Sequence, residues 1–263
     1  MAAVQRLCIA GAGGRMGRML IEAALADPAL SIGAALEIGG SPLLGQPAAP
    51  GVAIGADIPA ALQVCDVLID FTRPEATLAY LAACRRAHRN IIIGTTGFTP
   101  EQKHEIEAAA ADIAVVFAPS MSMGVNVMMK LVEMAARTLG ADADIEVHEA
   151  HHKMKVDAPS GTALKLGEIA ARARGQTLEE AGVYARHGLT GERKPGSIGF
   201  SVTRAGDIVG DHTVLFGGVG ERIEITHRSA SRANFAQGAI RAAKFLAAKN
   251  KGLYDMQDVL GLK

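Results

Sequence analysis

RLCIAGAGGRMGRMLIEAAL, residues 6–25, decides the fold class. Arg6–Ala10 is an apolar run of strand character, Gly11–Gly17 a tight turn, and the residues through about Leu25 an amphipathic helix that Pro28 closes. A strand feeding a glycine-rich turn and then a helix is where a dinucleotide pyrophosphate docks. Glycines let the backbone approach the phosphates, and the free amides of the helix start meet them with the positive end of the macrodipole. The spacing is G-x-x-G-x-x-G at Gly11, Gly14 and Gly17; the commoner G-x-G-x-x-G would need glycine in place of Met16. A glycine turn alone is a weak signal. The second strand, Ser31–Leu36, supplies the missing context, because it ends at Glu37, 20 positions beyond Gly17. A carboxylate there accepts hydrogen bonds from the adenosine ribose and repels a 2′-phosphate. Ile38 cannot offset that repulsion and Arg15 is the only nearby cation, so NADH is favoured over NADPH.

Outward from this turn the first half alternates short apolar runs with helical stretches. Gly39–Gly55 reads as a surface loop, Val64–Asp70 as a strand, Pro74–His88 as a helix, Asn90–Gly94 as a strand, Thr99–Ala111 as a helix and Ile113–Ala118 as a strand. That alternation is a doubly wound, Rossmann-like parallel sheet, in which ligands bind at the carboxyl edge. Gly94, Thr95 and Thr96 end one strand on that edge, and Ala118, Pro119, Ser120 and Met121 end the next, so both segments are expected to flank the nicotinamide and its ribose.

Beyond Pro119 the character changes. Gly124–Leu139 is a Met-rich helix whose Met128, Met129 and Met134, with Met123 before it, read as core packing. A strand at Ile145–His148, a helix at Ala163–Arg174 and strands near Ile198–Thr203, Thr213–Phe216 and Ile223–His227 follow, with Gly206-Asp207 and Gly217-Gly218 as turns. The expectation is an α+β domain with a mostly antiparallel sheet, after which helix Asn234–Asn250 returns to cover the first domain. The boundaries expected are 1–122 with 233–263 for dinucleotide binding, and 123–232 for substrate binding and oligomerisation.

Composition removes whole classes of function. The chain has 263 residues, 49% hydrophobic and 21% charged, which suits packed cores and excludes a disordered scaffold. Lys plus Arg equals Asp plus Glu at 27 each, so no net field holds nucleic acid or an anionic membrane. The start, MAAVQRLCIAGAGG, lacks the basic and apolar regions of a signal peptide, and no apolar run reaches the ~18 residues of a membrane helix. A soluble cytoplasmic protein is expected. Cys8, Cys65 and Cys84 are odd in number and apolar in setting, against a disulfide framework, a metal knuckle or a thiol nucleophile.

The densest reactive stretch is residues 148–162, HEAHHKMKVDAPSGT, between a strand and a helix. Ser160 is a good N-cap, and the free amides of Gly161 and Thr162 suit a carboxylate, with Lys153 and Lys155 beside it. His148, His151 and His152 invite a metal reading. Strand alternation sends adjacent side chains to opposite faces, and no cysteine or spaced carboxylate completes a tetrahedron, so no metal is expected. A His–Lys pair that donates a proton to an atom that has just received hydride suits the stretch better. A basic anion-binding loop without proton transfer is the alternative.

These motifs together resemble the bacterial 4-hydroxy-tetrahydrodipicolinate reductases of lysine and diaminopimelate biosynthesis, formerly called dihydrodipicolinate reductases. AGAGGRMGR near the start, IDFTRPE at 69–75, IGTTGF at 93–98, EAHHKMKVDAPSGTAL at 149–164 and GERIEITHRSASR at 220–232 carry the resemblance over essentially the whole chain. It implies reduction, by NADH or NADPH and with loss of water, of a cyclic hydroxy-dicarboxylate made from pyruvate and aspartate semialdehyde. It also implies His151 as general acid/base, Lys155 as proton donor, and His152, Gly161 and Thr162 as substrate contacts. Gly11, Ala12, Gly13, Gly14, Arg15, Met16, Glu37, Gly94 to Thr96 and Ala118 to Met121 match the family's cofactor positions. The implied architecture is a Rossmann domain completed by the C-terminal helix and a substrate domain whose open sheet builds a homotetramer; because the cofactor positions and the His–Lys loop fall in different domains, hinge closure between the two is expected. Ile38 stands where many members carry Arg, and Ser120-Met121-Ser122 stands where Asn-Phe-Ser is common. A dehydrogenase of another small metabolite and a nucleotide-sensing regulator are the competing readings.

Overall fold

A computed structural model describes residues 4–263. Its elements run β1 Gln5–Ala10, α1 Arg15–Leu25, β2 Leu30–Leu36, β3 Pro47–Ala49, β4 Val52–Gly55, α2 Ile58–Gln63, β5 Val67–Asp70, α3 Pro74–Ala87, β6 Asn90–Ile93, α4 Pro100–Ala109 and β7 Ala114–Phe117. There follow α5 Met123–Leu139, β8 Asp144–His151, α6 Gly161–Ala173, α7 Leu178–Ala181, β9 Gly182–Val183, β10 Ile198–Arg204, β11 Gly210–Gly217, β12 Arg222–Ser229, α8 Ala233–Leu246, β13 Gly252–Tyr254 and α9 Met256–Leu260. Two compact units result, one from the first part of the chain through Met123 together with Ala233–Lys263, the other Gly124–Arg232.

The first unit is an eight-stranded sheet in the order β13-β7-β6-β5-β1-β2-β4-β3, parallel throughout except where β3 pairs antiparallel with β4. Its central strands are mostly apolar, as in Leu7–Ala10, Val67–Ile69 and Ile91–Ile93, because both faces are covered. Leu7 and Ile9 point to the face that packs Leu20 and Ala24 of α1 and Ile240, Ala243 and Leu246 of α8. Cys8 and Ala10 point to the other, with Leu62 of α2, Leu81 and Cys84 of α3 and Ile106 of α4. All three thiols are free and buried on that second face. The C-terminal helix α8 thus completes this unit, as the resemblance implied, although it stops at Leu246 and β13 then adds an edge strand to β7.

Three expectations for this unit change. The stretch 39–55 holds the short strands β3 and β4 rather than loop throughout. Helix α2 was not anticipated, although Asp57 caps it by accepting from the Ala60 amide at 3.0 Å and Pro59 sits in its first turn. Because Val64 ends α2, β5 begins only at Val67.

The second unit is a five-stranded sheet in the order β12-β11-β8-β10-β9. It is mixed, not mostly antiparallel: β10 runs parallel to both β8 and β9, and β11 antiparallel to both β8 and β12. The physical reason is that β10 and β11 flank β8 on opposite sides. Gly206-Asp207 is therefore not a hairpin turn but part of a crossing over the end of β8, fixed by Ala205 N to His151 O at 2.9 Å and His152 N to Ile208 O at 2.7 Å. Gly217-Gly218 does open a hairpin into β12, closed by Gly218 N to Glu221 O. One sheet face packs Ile145, Val147, Phe200 and Phe216 against Met128, Met129 and Val132 of α5 and Leu166 and Ala170 of α6. Met134 is exposed rather than part of that core. No helix among the described residues is long and apolar enough to cross a membrane.

Candidate functional site

In the first unit, the turn between β1 and α1 is shaped by backbone. Gly11 has φ +65°, and Gly14 caps α1 in extended conformation with no side-chain hydrogen bond to the helix amides. Gly17 lets α1 lie on the turn: a Cβ there would stand 2.2 Å from the Gly11 carbonyl oxygen. Arg15 is exposed and Met16 is half-buried against the core. Glu37 reaches the turn, where its Oε1 accepts from Gly13 N at 2.9 Å while Oε2 accepts from Ile38 N at 3.3 Å. Ile38 itself is 70% exposed. Beside the turn a cavity of about 460 Å³ opens between α1 and residues 43–48, lined by Ala12, Gly13, Arg18, Leu43 and Gln46.

The edge segment at Gly94–Thr96 is held by a buried carboxylate that sequence reasoning passed over. Asp70, at the end of β5, accepts from Thr72 N at 3.0 Å, Thr72 Oγ1 at 2.6 Å, Thr95 Oγ1 at 3.1 Å and Thr77 Oγ1. Burial pushes its pKa up, against the pull of those hydrogen bonds. Thr95 is thereby turned inward to Asp70, while Thr96 is exposed. Gly94 gives the Phe71 ring its place, since a Cβ would fall 2.3 Å from it. Ala118 and Met121 are buried in the core, and Met121 backs onto Gly238 of α8, whose Cβ would strike the Met121 carbonyl. The Met121 side chain is therefore core, and Pro119 is exposed.

In the second unit β8 runs three residues beyond the expected His148, so Glu149 and His151 share its buried face. His148 lies on the opposite face, bonded to Ser201. Glu149 is the hub. Its Oε2 lies 2.7 Å from His151 Nδ1 and accepts from Arg204 Nη1 at 2.8 Å; its Oε1 accepts from Ser160 N and Arg204 Nη2, each at 2.9 Å. Burial pushes the Glu149 pKa up, but the bonds from Arg204, His151 and Ser160 outweigh it and hold the group below the usual carboxylate value.

Ser160 then opens α6. Its Oγ accepts from Ala163 N at 3.2 Å and lies 3.0 Å from His212 Nε2. A Cβ on Gly161 would meet nothing within 4 Å, so the space before the first turn of α6, where Gly161 and Thr162 lie, is open. His212 is buried edge-on to His151, ring centroids 5.1 Å apart, and burial with the neighbouring His151 pushes its pKa down to about 4. The edge of His151 rests over Gly210, where a Cβ would come within 3.0 Å of Nε2. Lys155 Nζ donates to both oxygens of Asp157 at 2.8 Å, and this bond lowers the Asp157 pKa. His152 is half-buried, with Nδ1 lacking a hydrogen-bond partner among the described residues. Thus His151, Ser160, Gly161 and Thr162 cluster, with Glu149, Arg204, His212 and Gly210 added. One signal for Glu149 was available, its i, i+2 spacing from His151 on an extended strand.

The sequence matches family models along nearly all its length: "Dihydrodipicolinate reductase, N-terminus" over residues 5–121 and "Dihydrodipicolinate reductase, C-terminus" over 124–260. It is 58% identical over 264 aligned residues to the 4-hydroxy-tetrahydrodipicolinate reductase of Burkholderia ambifaria, covering 98% of this chain and 100% of the relative, and 58% identical, with the same coverage, to that of Burkholderia pseudomallei strain 668. A dipicolinate-bound dihydrodipicolinate reductase from Paenisporosarcina sp. TG-14 superposes with TM-score 0.81 at 25% identity, over 97% of this chain and 99% of that one. A protein of gentamicin A biosynthesis solved with NAD shares the fold at TM-score 0.62 and 13% identity, covering 94% of this chain and 86% of that one.

Proposed function

The chain belongs to the dihydrodipicolinate reductase family, and on that premise we propose how its residues carry out the family reaction. It is an NAD(P)H-dependent oxidoreductase that reduces 4-hydroxy-tetrahydrodipicolinate to tetrahydrodipicolinate with loss of water, in lysine and diaminopimelate biosynthesis. The observation that carries the residue-level reading is the junction of Glu149, His151 and the start of α6, which sets a proton carrier beside an open helix N-terminus.

The first unit fits a dinucleotide. The extended Gly14 cap leaves the α1 amides without a side-chain partner, Gly17 keeps that helix close, and Glu37 stands where ribose hydroxyls are read. Gly11 to Met16 and Glu37 hold the adenosine and pyrophosphate; backbone of Gly94 to Thr96 and Ala118 to Met121 lines the nicotinamide end. When bound, the nicotinamide supplies the hydride that the reduction consumes. We read NADH as the preferred form, since Glu37 repels a 2′-phosphate and the exposed Ile38 offers no cation.

Reduction with loss of water also consumes one proton per turnover. His151 holds that proton at Nε2, because an ionised Glu149 accepts at Nδ1. Lys155 is the second proton source, and it exchanges its Asp157 partner for substrate. The amides of Gly161 and Thr162, at the positive end of α6, receive a substrate carboxylate, with His152 beside them. We further infer a homotetramer, supported by membership of the family; light scattering on the eluting protein tests it. The activity is tested by following nicotinamide absorbance with substrate made in place by a synthase from pyruvate and aspartate semialdehyde. Turnover that depends on the synthase supports the reading. Cofactor binding without turnover overturns it.

A further inference from the structure

His151 and the start of α6 meet at one side chain, and that side chain has no freedom. Glu149 is fully enclosed and its two oxygens receive four hydrogen bonds, two of them from one guanidinium. We propose that Glu149, clamped by Arg204, is a positioning residue that fixes which nitrogen of His151 carries the mobile proton and holds that nitrogen in register with the carboxylate cradle of α6. The proposal rests on the reading of His151 as the proton donor. A carboxylate can only accept, so Nδ1 of His151 carries a hydrogen in every protonation state and the proton that comes and goes is on Nε2. The same carboxylate takes the Ser160 amide, so the acid and the cradle are two bonds of one group.

No neighbour duplicates this. His212 on β11 meets His151 edge-on and spends Nε2 on Ser160 Oγ. Arg204 on β10 faces the carboxylate, not the ring, and also donates to the Asp157 carbonyl. Lys155, in the following loop, is paired with Asp157. Glu149 is therefore the only acceptor among these groups that meets the His151 ring.

Glu149→Gln separates orientation from bulk. At the Oε1 place the new amide NH₂ would oppose two fixed donors, Ser160 N and Arg204; at the Oε2 place it opposes Arg204 and His151 Nδ1, which alone can switch to an acceptor. The NH₂ therefore turns to His151, moves its hydrogen to Nε2 and withdraws support from the doubly protonated ring. For the purified full-length E149Q protein, kcat falls roughly 10²- to 10⁴-fold, as for removal of a carboxylate that orients an active-site histidine. The alkaline limb of its pH–rate profile moves to lower pH, and NADH affinity is unchanged. An E149Q enzyme with the wild-type pH limb and kcat overturns the proposal. His151→Gln runs beside it: if H151Q turns over normally, the reading of His151 fails and takes the proposal with it, whereas an inactive H151Q with a normal E149Q overturns the proposal alone. Ring ¹⁵N spectra of the wild-type protein read the tautomer without any E149Q protein. With H151Q to identify the signal, neutral His151 is expected to carry hydrogen on Nδ1; hydrogen on Nε2 overturns the proposal.

Discussion

Gly17→Ala tests whether the turn between β1 and α1 is held by backbone contact. A Cβ at residue 17 would lie 2.2 Å from the Gly11 oxygen and 2.7 and 2.8 Å from Ala12 Cα and C. Comfortable carbon contacts begin near ~3.5 Å, so α1 must move off the turn by roughly 1 Å. All three obstacles are backbone, and no rotamer change relieves them. Overpacking costs about 1–3 kcal/mol, against about 1 kcal/mol that alanine returns as a helix former, so the fold loses about 0–2 kcal/mol. Cofactor binding suffers more. Two phosphate-directed amides displaced by that distance forfeit charge-assisted bonds of about 1.5 kcal/mol each, or roughly a 10²-fold rise in Kd for NADH. Fluorescence titration with NADH and thermal melting measure the two effects on one preparation. Gly14→Ala is the comparison, because its φ of −71° suits alanine and its Cβ meets only the Gly11 oxygen, at 3.2 Å. It should melt like the parent. A Gly17→Ala protein that binds NADH within about threefold of the parent would refute this account of the turn.

Gly210→Ala brings a methyl within 3.0 Å of His151 Nε2 and should lower kcat about tenfold with NADH affinity intact; an unchanged kcat would show that the ring has room to yield. Ile38→Arg supplies the missing cation beside Glu37 and should raise the NADPH-to-NADH ratio of kcat/KM about tenfold, and a ratio that stays put contradicts the charge argument. Lys155→Ala should abolish most turnover while NADH titrates normally; retained turnover removes Lys155 from the proton path. His212 has its pKa pushed down to about 4, from 6.5, first by burial and then by His151, so the unfolded chain binds more protons between those values. Its contribution is complete above about pH 6.5 and falls by up to about 3 kcal/mol as pH drops to 4; His212→Gln should flatten that part of the stability-against-pH curve, and an unaltered slope would refute it.

The glycine turn of the first unit and the acid cluster of the second differ in how far they can be read from sequence, and the difference is one of contact order. The glycine turn is contiguous: Gly11 to Gly17 are adjacent in sequence, and Leu36 and Glu37 join them from the end of the neighbouring strand at a spacing that parallel pairing fixes. Asp70 was equally legible in principle, since Thr72 and Thr77 lie within seven residues, yet Thr95 is 25 away and its inward turn is set by β6 lying beside β5. Helix α2 carried its Asp57 cap and early proline in plain view, but six residues are too few for periodicity to stand out.

The acid site is built the other way. Arg204 lies 55 residues from Glu149 and Ser160 lies 11, and they meet because β10 pairs parallel with β8 while the crossing at 205–208 returns over the end of that strand. An antiparallel neighbour in the place of β10 would reverse the ladder, and Arg204, which the parallel register sets opposite His151, would fall at the far end of β8. The expectation of a mostly antiparallel sheet and the failure to see the Glu149–Arg204 clamp are therefore one error. Reading β8 to His151 rather than His148 recovers half of it from local pattern alone, because alternation then puts Ile145, Val147, Glu149 and His151 on one buried face, where a carboxylate demands a partner. The identity of that partner is what only the parallel register supplies.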